Sequence, residues 1–113
     1  MILARYRNLR YFYCVRVISA KPLREFGKKH ADARTPLRAW EKLVEHGTFK
    51  NLTELQQTFA GVDMVPVKQK SFHVFNIGGN KYRLVAVIHF NRQMLFVRHV
   101  LTHKEYDTGG WKQ

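Results

Sequence analysis

Cysteine is nearly missing from this 113-residue chain: Cys14 is the only one, so neither a disulfide framework nor a paired-cysteine metal site can be built from it. A reducing, cytoplasmic compartment is expected from that usage. Acidic residues are scarce as well, 8 against 20 lysines and arginines, which leaves a formal charge of +12. So few carboxylates argue against a two-metal site, and no histidine pair stands four apart with a glutamate between, so no metal or other cofactor is expected. Long apolar runs are absent too. The longest, Leu84 to Ile88, falls far short of the roughly 20 residues that cross a bilayer, and the scattered arginines of the first residues make a poor signal peptide. No P-loop is present; Gly78-Gly79 alone is a weak signal.

What the chain does have is cations and aromatic residues. A surplus of positive charge on this scale attracts polyanions and speeds encounter with them, so nucleic acid is the first partner to consider and an acidic protein the second. A basic surface kept only for solubility is the plain alternative. The length fits one domain, able to bury roughly two thirds of its extended-chain surface.

The sequence is organised around Phe72 to Tyr106, where three runs rich in Val, Ile, Phe and Tyr are separated by Gly78-Gly79-Asn80 and by Asn91-Arg92-Gln93. This predicts an antiparallel meander with local hairpins. In the second run Tyr82, Leu84, Ala86, Ile88 and Phe90 alternate with Arg83, Val85, Val87 and His89, so one face can bury under helices while the other is apolar at its centre and basic at its ends. Upstream, Val15 to Ala20 reads as a first strand. Pro22 opens a helix carrying Leu23, Phe26 and His30 on one face. A second helix, capped by Asp32 or Thr35, would bury Leu37, Trp40, Leu43 and Val44 and stop at Gly47. Thr53 could cap a third, with Leu55 and Phe59 inward and Gly61 at its end, and Pro66 should break any strand over Val62 to Val67. A helix-turn-helix DNA reader lacks an evident third helix.

Residues 1–14 differ in character, with Tyr6, Tyr11, Phe12 and Tyr13 interleaved with Arg5, Arg7 and Arg10. They could form an RNA-binding arm, lie on a membrane surface, add an element to the fold, or reflect a start placed too far upstream. Residues 109–113 are expected to be a flexible tail, because nothing periodic holds them.

If the polyanion were RNA and the chain an enzyme, which composition does not show, a metal-free ribonuclease would use the RNA 2′-hydroxyl as nucleophile, and the protein would supply a base, an acid and cations for the charged transition state. His103, Glu105 and Tyr106 stand together after the last strand, and Arg83 opens a strand facing opposite to Leu84. By spacing alone His103 is equally a surface histidine, Glu105 a solvated turn carboxylate and Tyr106 an edge-packing ring. As catalytic groups, His103 would be the general base, Glu105 its orienter or a second base, Tyr106 a stacking surface or proton donor, and Arg83 a two-bond clamp on the scissile phosphate. Lys81, Arg98, Lys104, Lys68 and Lys70 add positive field along the same half of the chain, with Asn76 and Asn80 as amide or backbone donors. For those two asparagines, hairpin chemistry is explanation enough.

FNIGGNKYRLVAVI followed by VRHVLTHKEYD resembles the HigB family of toxins from bacterial toxin-antitoxin pairs, and VRVISAKPLREFGKKHADARTPLRAWEKL matches the family's amino-terminal part more loosely. The resemblance implies a single α+β domain over residues 15–108, RelE-like, with two or three helices packed on a small, mostly antiparallel sheet. It implies an endoribonuclease that cuts messenger RNA on translating ribosomes, and a helix-turn-helix antitoxin of HigA type whose complex with the toxin binds operator DNA. It favours His103 and Arg83 as catalytic residues. The rivals are a basic RNA-binding module without catalysis and a regulatory subunit docking an acidic partner.

Overall fold

A computed structural model describes residues 14–112, so all of the expected amino-terminal extension but Cys14 lies outside the described residues. Strand β1 (Arg16–Ile18) leads into helix α1 (Lys21–Lys29). Pro22 sits in the first turn of α1, where its missing N–H would be unpaired anyway, and Lys28 and Lys29 complement the dipole at the other end. Leu23 and Phe26 are buried as their spacing predicts, and His30 stacks on Phe26 with ring centroids 4.4 Å apart.

Helix α2 (Arg34–Glu45) has Ala33 at its N-cap and no side-chain cap, so neither Asp32 nor Thr35 does the capping expected of them. Asp32 accepts the Tyr82 hydroxyl at 2.6 Å and pairs with Lys81 at 3.3 Å. That hydrogen bond is the main reason the Asp32 carboxyl lies below its ordinary pKa and the Tyr82 phenol above its own. Leu37, Trp40 and Val44 are buried, but Leu43 is 52% exposed, since adjacent helical positions are 100° apart and Val44 already points inward. Helix α3 (Leu52–Thr58) is capped by Asn51 rather than Thr53: Asn51 Oδ1 accepts the Glu54 N–H at 3.0 Å. The helix closes ahead of Gly61.

Strands β2 (Asp63–Val67), β3 (Lys70–Ile77), β4 (Tyr82–His89) and β5 (Met94–Thr102) complete a five-stranded sheet of order β1-β5-β4-β3-β2. Among the described residues only β1 pairs in parallel; the rest is the expected meander, preceded by one more strand. Pro66 does not break β2, because β2 lies at the sheet edge, where a missing donor can face solvent. Gly78 and Gly79 take φ of 62° and 71° between β3 and β4. Between β4 and β5 the left-handed residue is Gln93 (φ 52°) rather than Asn91. Its side chain ties the turn to the loop before α3. Gln93 Oε1 accepts from the Phe49 N–H at 3.0 Å, and Nε2 donates to the carbonyls of Phe49 and Phe90 at 2.6 Å each.

A bulge in β5 sets which side chains reach each face. Val85 pairs with His99 and Ala86 with Val97, so Arg98 is the extra residue and the alternation reverses across it. Leu95, Val97 and Val100 therefore all join the core under the helices, with Phe75, Ile77, Leu84, Trp40 and Leu55. The opposite face has a smaller core of Phe72, Val74, Val85 and Trp111.

That last residue corrects the expectation of a flexible tail. After β5 comes a short helix α4 (His103–Thr108), closed by Gly109 at φ 77° and followed by a 3-10 turn, Gly110–Lys112. Trp111 is 6% exposed, edge-on to Phe72 at 5.6 Å and stacked on Tyr106 at 5.2 Å. Its Nε1–H donates to the Tyr106 carbonyl at 3.1 Å. A single buried indole gives no periodic signal, which is why the segment reads as loose in sequence.

Candidate active site

The candidate residues meet where the β3–β4 turn approaches the start of α4. The His103 N–H donates to the Lys81 carbonyl at 3.2 Å, which fixes the helix beside the first residues of β4. Thr102 caps the helix: its Oγ1 accepts the Glu105 N–H at 3.2 Å, and Glu105 Oε1 accepts the Thr102 N–H at 2.9 Å. This reciprocal pair satisfies two helix-end donors. Glu105 is thereby engaged in building α4, and the carboxylate that touches His103 is a different one. Asp107 Oδ2 lies 3.2 Å from His103 Nδ1, one helical turn on. Sequence reasoning passed over Asp107, although its spacing of four from His103 was a usable signal.

Tyr106 is half-buried in the same helix, three residues from His103 and so on the adjoining surface. Its ring is held between Trp111, stacked at 5.2 Å with planes 14° apart, and Arg83, whose Cζ lies 5.9 Å from the ring centroid. Burial, with Asp63 and Asp107 adding to it and Arg83 opposing, raises the Tyr106 phenol above its ordinary pKa. Tyr106 is therefore protonated at neutral pH.

Arg83 is partly exposed on the open face of the sheet, paired in register with Asn76 on β3 and Leu101 on β5. Its Nη1 donates to the carbonyls of Asn80 and Tyr82, both at 3.2 Å. Among the described residues no protein acceptor engages its other nitrogens, which keep donors unused. Asn80 thus contributes its backbone carbonyl. Asn76 is exposed on the same face, with its amide close over Gly61, where a Cβ would come within 2.5 Å of Nδ2.

The expected basic residues divide. Lys81 leans away from Arg83 toward Asp32 on the helix side. Lys104 is exposed on α4. Lys68, Lys70 and Arg98 line one cleft of about 480 Å³ on the open face, together with His99, Lys112, Phe72 and Trp111. Lys112 was not foreseen, whereas His99 was expected among the basic residues where the third run ends. Burial, and Arg98 beside it, lower the His99 pKa. Of the other meander histidines, His73 is 5% exposed, its pKa lowered by burial, and His89 packs edge-on against Phe96. Among the described residues no three His, Cys, Asp or Glu side chains are grouped so as to hold a metal ion, and no helix is long and apolar enough to span a membrane.

The arrangement combines a cation with open donors, a protonated phenol and a histidine in contact with a carboxylate, all at one exposed end of the sheet. Residues 33–109 match the family model described as HigB_toxin, the RelE-like toxic component of a toxin-antitoxin system. Proteins named mRNA interferase HigB from Escherichia coli O157:H7 and Shigella flexneri are 36% identical over 91 residues, covering 80% of this chain and 86% of theirs. Another from a second Escherichia coli strain is 29% identical over 91 residues, covering 80% of this chain and 87% of its own. With the family model matched across most of the α+β domain, the chain belongs to the HigB toxin family, the RelE-like toxic component of toxin-antitoxin systems, and so has an antitoxin as partner.

Proposed function

We propose that this chain is a messenger-RNA endoribonuclease that cuts on the ribosome, stops translation, and does so with its own side chains rather than a metal. The observation that carries the chemistry is the placement of Arg83, Tyr106 and His103 at one exposed sheet end. In the proposed step His103 takes the proton from the RNA 2′-hydroxyl, whose oxygen attacks the adjacent phosphorus. Asp107 stabilises the imidazolium that forms, and Tyr106 gives its proton to the departing 5′-oxygen as the phosphorus–oxygen bond breaks. The products are a 2′,3′-cyclic phosphate and a free 5′-hydroxyl. Arg83 meets the growing charge on the phosphate oxygens with its unused donors, where a guanidinium fork matches a phosphate in two hydrogen bonds.

Asn76 beside Arg83, Lys104 on α4 and the basic cleft with Lys68, Lys70 and Arg98 guide the RNA strand; Lys81, paired to Asp32, contributes field at longer range, and Asn80 holds Arg83 in place. The antitoxin is of HigA-type helix-turn-helix class, and through it the complex binds operator DNA; toxin and target both lie in the cytoplasm.

Induced expression in bacteria of the intact chain, beside His103→Ala and Arg83→Ala, with 5′ ends of cellular messages mapped, tests this. Growth arrest with new ends inside translated frames, lost in both variants, is expected. Arrest that persists in His103→Ala without new message ends would leave a basic RNA-binding module and overturn the nuclease reading.

A further inference from the structure

The cleft on the open face is more than a general basic surface. Its wall is lined by Lys68, Lys70, Arg98, His99 and Lys112 and its floor by Phe72 and Trp111, with no carboxylate among the lining residues. Two local features set the cations there. Arg98 is the bulged residue of β5, so it stands out of the regular alternation at the cleft edge. Lys68 is held at φ 57° in the two-residue turn between β2 and β3, a conformation that a non-glycine residue adopts uncommonly. On the far side Lys112 lies over the Trp111 ring, its Nζ 5.6 Å from the ring centroid. Trp111 is also the residue that stacks on Tyr106, and Tyr106 is the ring beneath Arg83. One aromatic wall therefore separates the cleft from the candidate cleavage centre.

We infer that this cleft is a nucleotide subsite, which holds a residue of single-stranded RNA flanking the scissile bond: its backbone phosphate meets the cations of Lys68, Lys70 and Arg98, and its base the ring edges of Phe72 and Trp111. The inference rests on the nuclease reading and extends it. A groove of cations without an acidic side chain tracks the backbone of single-stranded nucleic acid with little demand on sequence. Its position beside Tyr106 favours the RNA strand over an acidic segment of the antitoxin. His99, in the cleft wall, can meet a base edge as donor or acceptor. Phe72 and Trp111 are nearly buried, so the ligand meets ring edges and the side of the cleft rather than an open face.

The chain carries its own probe. Its two tryptophans are Trp40, under the helices, and Trp111, at the cleft. In a Trp40→Phe background, titration with a 2′-O-methyl RNA hexamer, which cannot be cut because its nucleophile is blocked, should change Trp111 emission. Lys68→Gln with Arg98→Gln should weaken binding about tenfold at low salt and reduce the dependence of log affinity on log salt by about 0.7 for each cation removed. The same pair should raise KM for cleavage of ribosome-bound message. Unchanged hexamer affinity in the double variant, or weakening confined to the antitoxin complex, overturns the subsite. Loss of all cleavage by the parent protein on ribosomal and free RNA would instead strike the nuclease reading, while the fluorescence titration would still report on the cleft.

Discussion

Replacing Trp111 by alanine removes the indole that closes the smaller core and holds Tyr106 from behind. The ring is 6% exposed against Phe72, Val74 and Val85. A tryptophan buries on the order of 200 Å², which at roughly 25 cal/mol per Å² sets an upper value of about 5 kcal/mol. Truncations of buried aromatics measured elsewhere fall at about 3–5 kcal/mol. The variant also leaves the Tyr106 carbonyl without its Nε1–H donor, a loss of about 1 kcal/mol. We expect Trp111→Ala to lose about 4 kcal/mol, a large part of the roughly 5–15 kcal/mol that holds a domain together. Trp111→Phe keeps most of the ring contact and should lose about 1–2 kcal/mol. Urea unfolding followed by far-ultraviolet circular dichroism measures both, with the midpoint moving and the slope constant if the transition stays two-state. Cleavage by Trp111→Phe, assayed where it is fully folded, should drop through kcat more than KM, because Tyr106 loses its backing while the basic residues stay in place. An alanine variant within about 1 kcal/mol of the parent would mean that the carboxy-terminal turn does not pack in solution, and the positioning of Tyr106 by Trp111 would fall with it.

Glu105 and Lys68 allow sharper separation of structure from catalysis. Glu105→Gln can still accept the Thr102 N–H and should keep both stability and cleavage, whereas Glu105→Ala should lose about 1 kcal/mol of stability and cut only as much slower as α4 frays; a large rate loss in the glutamine variant would place the carboxylate in the chemistry. Lys68→Gly relieves the left-handed backbone and should raise stability by about 1 kcal/mol while weakening RNA binding. A glycine variant that binds RNA as tightly as the parent would exclude Lys68 from the interface. His73 is buried on the helix side with Nδ1 unpartnered among the described residues, and burial lowers its pKa. The unfolded chain therefore takes up this proton first as pH falls, so stability should decline below about pH 6.5 and be full above it. His73→Phe should flatten that decline in urea midpoints measured from pH 8 to pH 5; an unaltered slope would show that His73 does not govern it.

The sequence alone determined the features that depend on neighbours along the chain. The meander followed from β-branched runs and Gly78-Gly79, the opening of α1 from Pro22, and its buried face from the spacing of Leu23 and Phe26. Grouping of His103 with Tyr106 was equally legible, since both stand in one short segment. Arg83 could be named as a candidate, but its setting could not.

What only the tertiary structure decided are contacts between residues far apart in sequence. Asp32 looked like a cap because aspartate often is one, and its partner Tyr82, 50 residues away, takes the carboxylate instead. Pro66 looked like a strand breaker until β2 was found at the sheet edge. The bulge at Arg98 reverses the alternation within β5, which period-two reading cannot foresee, and so places Val100 under the helices and Arg98 at the cleft. Trp111 had no periodic company, and its burial depends on Phe72 and Tyr106 arriving from two other elements. Local propensity and periodicity act over one turn or one strand. The site is assembled by burial and hydrogen bonding across the sheet, and these forces ignore distance along the chain.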